Sequence, residues 1–217
     1  MQNIVVYDLE TTGKDPHKVF PIQFAAIPID GVSLKIKSDD VFNQMCRPPD
    51  FEDMANYKDD PEKEGLWKFH ASHRGCTVEE IIELVSKAPL MSTVFDQFQQ
   101  YVGQFKLAKG RSSDAELGGF NIVNYDNVII NRLLNGKKGT WSPIFCYDAM
   151  QICKTWLRSA NMWSMSLDSL REYFGLPKGG HEALKDCKDT ATILTRFLSY
   201  QQQLAANKGY FAKAFKS

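Results

Sequence analysis

The 217-residue sequence lacks a charge imbalance, a long apolar run, a cysteine framework and any internal repeat. Lys and Arg together number 26, as do Asp and Glu, so the formal charge is zero. That balance excludes a protein holding nucleic acid by bulk positive charge alone, while leaving room for a local basic groove. No stretch approaches the roughly 18 uninterrupted apolar residues of a membrane span, so no membrane role is expected. The opening residues Met1-Gln2-Asn3 have neither the basic start nor the apolar core of a secretory signal. The 5 cysteines, at 46, 76, 146, 153 and 187, are odd in number and form no CxxC pair. The expectation is a reduced, cytoplasmic chain with small buried thiols, not a zinc site or disulfide frame.

What the chain does have is material for a core. With 14 Phe, 4 Trp and 43% hydrophobic residues, it carries enough apolar surface to exclude disorder for its bulk. At about 150 residues per domain, the length fits one large domain or one domain with an extension. The β-branched and aromatic run Ile4-Val5-Val6-Tyr7 reads as a buried strand that stops at an acid. Pro21 to Ile29 reads as a second strand, Asp30-Gly31 as a turn, and Asp40 to Cys46 as a third strand completing a meander. Residues 47–77 read as a long polar loop, and such loops in compact domains are usually functional or mobile. Thr77-Val78-Glu79-Glu80 is a capping box opening a helix with Ile81, Ile82, Leu84 and Val85 on its apolar face.

Farther along, Val94 to Phe105 has helical spacing, Glu116 to Phe120 reads as a short strand, and Tyr125 to Leu134 as a helix. In that last helix Val128, Ile129, Leu133 and Leu134 are expected inward. Pro143 to Tyr147 reads as the last strand, with Asp148 capping the next helix. Ser166 opens a helix that Gly175 and Pro177 close, and a long helix carries Ala183 through Leu198. Leading strands followed by alternation give an α/β class with a mixed sheet. Residues 1–200 are expected to form the domain, and 201–217, with Tyr210, Phe211 and Phe215 among lysines, an extension packed on it or trailing it.

The chemistry begins at Asp8-Leu9-Glu10-Thr11-Thr12-Gly13. Residues i and i+2 of a strand face one side, so Asp8 and Glu10 aim two carboxylates at one point and Leu9 points away. Like charges buried together are costly unless a cation or a shared proton neutralises them. Two solvated acids at a strand end would be the ordinary alternative. A second acid set follows: Gly118-Gly119-Phe120-Asn121 precedes Tyr125-Asp126, placing Asp126 at a helix start. A third, Gly179-Gly180-His181-Glu182-Ala183-Leu184-Lys185-Asp186, puts a histidine five positions before an acid. Five residues at about 100° each leave the pair about 140° apart, so His181 is expected ahead of the helix on a glycine hinge.

Taken together, Asp-x-Glu, Asp and His-x4-Asp in this order resemble the DEDD exonuclease superfamily, and the last spacing its DEDDh branch. The likeness is nearest to the nuclease domain of the bacterial exonuclease I family, through Pro21 to Ile27, Gly119 to Asp126 and the Asp148-Ala149-Met150 helix start. The resemblance implies a ribonuclease H-like, mostly five-stranded mixed sheet flanked by helices. It also implies a 3′–5′ exonuclease that releases nucleoside 5′-monophosphates from a single-stranded 3′ end. DNA is the favoured substrate; an exoribonuclease of the same family and a non-catalytic nucleic-acid-binding module are the alternatives. Asp8, Glu10, Asp126 and Asp186 would hold two Mg²⁺ or Mn²⁺ ions, which prefer oxygen donors. His181 would act as general base. The family further implies that Leu9 wedges against the terminal base and that Thr11 or Thr12 meets the 3′-terminal nucleotide. Asn121 is either a strand-orienting residue or a turn residue. Phe69 and His70, with Phe20, Trp67 and Arg74, are candidates for stacking or phosphate contact. Asp148 is read as a cap and Asp189 as a solvated or packing-edge acid; His17, His70 and His73 lack metal-binding spacing among themselves.

Overall fold

The structure is a computed structural model and describes residues 3–106, 115–135, 146–158, 162, 164–179 and 181–206. The tail aromatics, Gly180 of the expected hinge and residues 143–145 of the expected last strand lie outside these. β1 (Ile4–Thr11), β2 (Pro21–Ile29) and β3 (Phe42–Met45) form the antiparallel meander. β4 (Glu116–Gly119) pairs parallel with β1, and β5 (Cys146–Asp148) parallel with β4, giving the order β3-β2-β1-β4-β5. Every residue of β2 is buried, which explains why its sequence shows no polar alternation.

Helices cover both faces. Val5, Tyr7 and Phe24 meet α4 (Met91–Gly103) and α5 (Asp126–Leu134) through Phe95, Phe98 and Ile129. Ile4, Val6 and Ile27 meet α6 (Ala149–Leu157), α7 (Leu167–Phe174) and α8 (Ala183–Ala206) through Cys153, Leu170 and Leu194. In α5 the inward residues are Ile129, Ile130 and Leu134, while Val128 and Leu133 are only half-buried. Helix α8 continues to Ala206, past the expected boundary at residue 200.

Residues 47–77 are not a loop. They contain α1 (Phe51–Ala55) and α2 (Pro61–Arg74), which with α3 (Val78–Lys87) build a satellite core of Phe51, Met54, Trp67, Ala71, Ile81 and Val85 over Ile22. The start signal for α2 is in the sequence: Asp60 accepts hydrogen bonds from the Glu62 and Lys63 amides, Pro61 follows at the first helical position, and Gly75 closes the helix in the left-handed region. Its charge-rich surface conceals it, because only Trp67, His70 and Ala71 are buried. The capping box of α3 forms as expected, but Leu84 is 52% exposed, so its apolar face is narrower than the sequence suggested.

Candidate active site

Alternation along β1 sends Ile4, Val6, Asp8 and Glu10 to the α8 side and Val5, Tyr7, Leu9 and Thr11 to the α4–α5 side. Leu9 is accordingly buried among core residues, and its backbone N–H donates to Asp126 Oδ1 at 3.1 Å. Asp126, the first residue of α5, stands beyond the end of β4, the parallel neighbour of β1. Asp186 lies in the first turn of α8, on its buried face. The close seating of α8 depends on Gly118. A Cβ there would meet Leu194 Cδ1 at 3.1 Å and the Ile4 and Val6 methyls at 3.2 Å.

Asp8, Glu10, Asp126, His181 and Asp186 all line one cavity of about 1,210 Å³. Its electrostatics are those of a crowded acidic site. Burial first, then the charges of Asp126, Glu10 and Asp186, hold the Asp8 carboxyl well above the carboxylate range. Burial and Asp186 push Glu10 up to about 8, with Arg74 pulling the other way. Asp126 is pushed up to about 7, chiefly by burial and against hydrogen bonds from backbone amides including that of Leu9. Burial also raises Asp186, and Arg171 draws it back.

The donor set suits a hard cation: four carboxylates in one cavity, no thiol among them, and a mutual repulsion that a cation would relieve. Among the described residues, no three acids, histidines or cysteines are grouped tightly enough to enclose one ion as they stand. Arg171 holds one oxygen of Asp186, its Nη2 donating to Oδ1 at 2.5 Å. The acids therefore share a cavity without yet forming a coordination shell.

The remaining sequence candidates fall into three groups. His181 is exposed ahead of α8, its ring 5.1 Å from that of Phe69 and 4.5 Å from that of His73. Phe69, 41% exposed, and Asn121 line the same cavity. Asn121 has φ 54°, donates its N–H to Asp148 Oδ1, and accepts from the Asn124 side chain, so it makes the turn between β4 and α5. Thr11, Thr12 and His70 line the cavity but are buried and tied to the protein. Thr11 Oγ1 is 2.6 Å from the Tyr125 hydroxyl and donates to Gly13 O, and Thr12 Oγ1 accepts from the Phe20 N–H. His70 donates from Nε2 to Thr11 O at 3.0 Å, leaving Nδ1 3.6 Å from Glu10 Oε2; burial pushes its imidazole down to about 4.

Trp67, Arg74 and Phe20 are otherwise engaged. Trp67 is fully buried, its Nε1 donating to Met54 O at 2.8 Å. Arg74 donates to the Gln23 side chain on β2, and Phe20 lies under the Arg132 guanidinium at 4.8 Å. Asp148 caps α6 and also accepts from the Asn121 and Val123 amides, so it fixes the turn leading to Asp126. Asp189 is not a solvated acid: it accepts from Arg171 Nε at 2.8 Å and Lys185 Nζ at 3.0 Å. Arg171 is the residue that sequence reasoning missed. It occupies the i+4 place in the apolar stripe Leu167, Leu170, Phe174, and a cation in that position signals buried acids waiting for it.

A mixed five-stranded sheet whose first strand brings two carboxylates to a cleft, met there by acids at the starts of two helices, is a ribonuclease H-like architecture. The comparisons agree. The family model described as Exonuclease matches residues 5–58. The 3′–5′ exonuclease crn-4 of Caenorhabditis elegans is 23% identical over 220 residues, covering 94% of this chain and 66% of that protein. The crystal structure of that cell-death related nuclease superposes with a TM-score of 0.64 at 20% identity, covering 92% of this chain and 64% of the other. Escherichia coli exonuclease I in complex with a dT13 oligonucleotide superposes with a TM-score of 0.65 at 18% identity, covering 95% of this chain and 43% of that one. The chain thus spans just under two thirds of the nematode relative and less than half of exonuclease I. The relative matched in sequence is a 3′–5′ exonuclease, and the solved nucleases share the fold of this chain. No described helix is long and apolar enough to cross a membrane.

Proposed function

We propose that the chain is a divalent-metal-dependent 3′–5′ exonuclease that removes nucleoside 5′-monophosphates from the 3′ end of single-stranded nucleic acid, DNA in preference to RNA. The observation that carries this reading is the convergence of Asp8, Glu10, Asp126 and Asp186 with His181 on one cavity. Two Mg²⁺ or Mn²⁺ ions held by the four carboxylates would polarise the scissile phosphate and offset charge on the attacking and leaving oxygens. His181, outside the carboxylate set and reachable from solvent, takes the proton of the attacking water. Phe69 offers a stacking face at the cavity mouth, and Leu9 closes its floor. Thr11 and Thr12 act through the backbone they hold, since their hydroxyls already have partners. The oligonucleotide complex of exonuclease I supports a single DNA strand as the occupant.

The test is degradation of 3′-labelled and 5′-labelled single-stranded DNA, duplex DNA and RNA with Mg²⁺ or Mn²⁺. Immediate release of the 3′ label as mononucleotide, lost in Asp8→Ala and Asp186→Ala, is expected; intact substrates in every arm would refute the enzyme. His181→Ala should lower the rate by about 10²-fold or more while metal binding stays nearly unchanged, because the imidazole is not a proposed ligand.

A further inference from the structure

Arg171 is 1% exposed, and its guanidinium is used on every nitrogen. Nε donates to Asp189 Oδ2 and Nη1 to Asp168 Oδ1, both at 2.8 Å, and Nη2 to Asp186 Oδ1 at 2.5 Å. One cation therefore ties its own helix, α7, to the turn of α8 that carries Asp186. Such forked, charge-assisted pairing fixes direction as well as distance.

The same group meets the segment leading to His181. A Cβ built on Gly179 would overlap Arg171 Cζ and Nη1, so the chain two residues before His181 passes directly against the guanidinium. The end of a flexible arginine normally swings aside at little cost. Here three carboxylates pin it, and any side chain at position 179 leaves two escapes. The backbone at 178–179 lifts and carries His181 with it, or the guanidinium leaves its carboxylates and releases Asp186.

We infer that Arg171 and Gly179 form a clasp that sets Asp186 and His181 relative to one another, with Arg171 the positioning residue. The inference deepens the exonuclease reading and rests on it for its kinetic readout. Misplacing a reacting group by about 1 Å can cost on the order of 10²-fold in rate. Gly179→Ala, assayed well below its melting temperature and that of the wild type, should lower kcat by about tenfold or more with KM for the oligonucleotide within about twofold. Lysine ends near the Cζ position but has no forked Nη1 and Nη2 to be pinned by three carboxylates at once, so its single ammonium can swing aside from the added methyl. In an Arg171→Lys background the same Gly179→Ala change should therefore cost less than about threefold, a non-additivity that a merely structural glycine would not produce. Wild-type kcat in Gly179→Ala, or equal losses in both backgrounds, overturns the clasp while leaving the exonuclease reading intact.

A second readout needs no activity and uses the lysine variant only to assign a signal. In ¹⁵N-labelled protein, Gly179→Ala must move the Arg171 Nε–H signal or the His181 ring signals, identified by their absence in Arg171→Lys and His181→Gln. If the wild type degrades no substrate, the exonuclease reading fails and these signals decide the clasp alone: both unmoved overturns it.

Discussion

Stripping cations from the carboxylate cavity should weaken the fold as pH rises, and Mg²⁺ should reverse the trend. Glu10 stands near 8 where a free glutamate stands at 4.5, and Asp126 near 7 against 3.8. A carboxyl whose folded value is raised binds its proton more tightly in the fold than in the unfolded chain. Its contribution to stability is complete in acid and is lost as pH climbs through the folded value. Each pH unit of displacement is worth about 1.4 kcal/mol, so Glu10 alone sets an upper bound of roughly 4–5 kcal/mol. The four acids share one repulsion, so their values do not add. Water entering so open a cavity roughly halves the bound, to about 2 kcal/mol. Only the part of Glu10's displacement from 4.5 to about 8 that lies above pH 6 is lost between pH 6 and 9, roughly 1 kcal/mol of that bound. For a chain of this length 1 kcal/mol moves the melting temperature by about 2–4 °C, giving a fall of roughly 2–4 °C between pH 6 and 9 in EDTA. Thermal melts in EDTA and in excess Mg²⁺ at matched ionic strength measure it, with Glu10→Gln as the control whose slope should flatten. A melting temperature that is level or rising with pH in EDTA, or a Mg²⁺ gain larger at pH 6 than at pH 9, would refute the reasoning.

Two further outcomes are expected. Asp8→Asn removes a carboxyl that the fold holds well above its ordinary range, so the cost of either ionising it among like charges or keeping it protonated is gone. At pH 8 without metal the variant should be about 1–2 kcal/mol more stable than the wild type by urea melts while hydrolysing nothing. Trp67→Ala empties the centre of the satellite core and leaves Met54 O without its donor, so it should cost about 3–5 kcal/mol by the same melts.

The elements that were legible in the sequence are those whose signal is local. The β-branched run of β1 and the i, i+2 spacing of Asp8 and Glu10 both depend only on the two-residue strand period. The capping box at Thr77 and the serine cap of α7 likewise need no knowledge of the rest of the chain. What escaped depends on partners far away in sequence. Helix α2 buries a strip only three residues wide, and the neighbours of its Trp67 in the satellite core include Ile22. His70 looked like a surface contact because nothing near it shows that Thr11 O, 59 residues earlier, accepts its hydrogen bond. Arg171 and Asp189 each appear as ordinary charged residues until α7 and α8 are laid together. Position 171 in the apolar stripe is the clue that a finer reading of periodicity would have used.

The order β3-β2-β1-β4-β5 places the first strand of the chain in the middle of the sheet, and α8 closes over it. During synthesis the meander can pair as soon as it emerges, but β1 must wait more than a hundred residues for its parallel partner β4. It waits longer still for the helix that brings Asp186. A nascent chain therefore holds Asp8 and Glu10 long before it holds a complete acid set, and an arrested fragment ending before α8 lacks Asp186 altogether. Late closure of this kind slows folding through its long-range pairings. It also makes completion of α8 the event that joins Asp186 to the acids already in place.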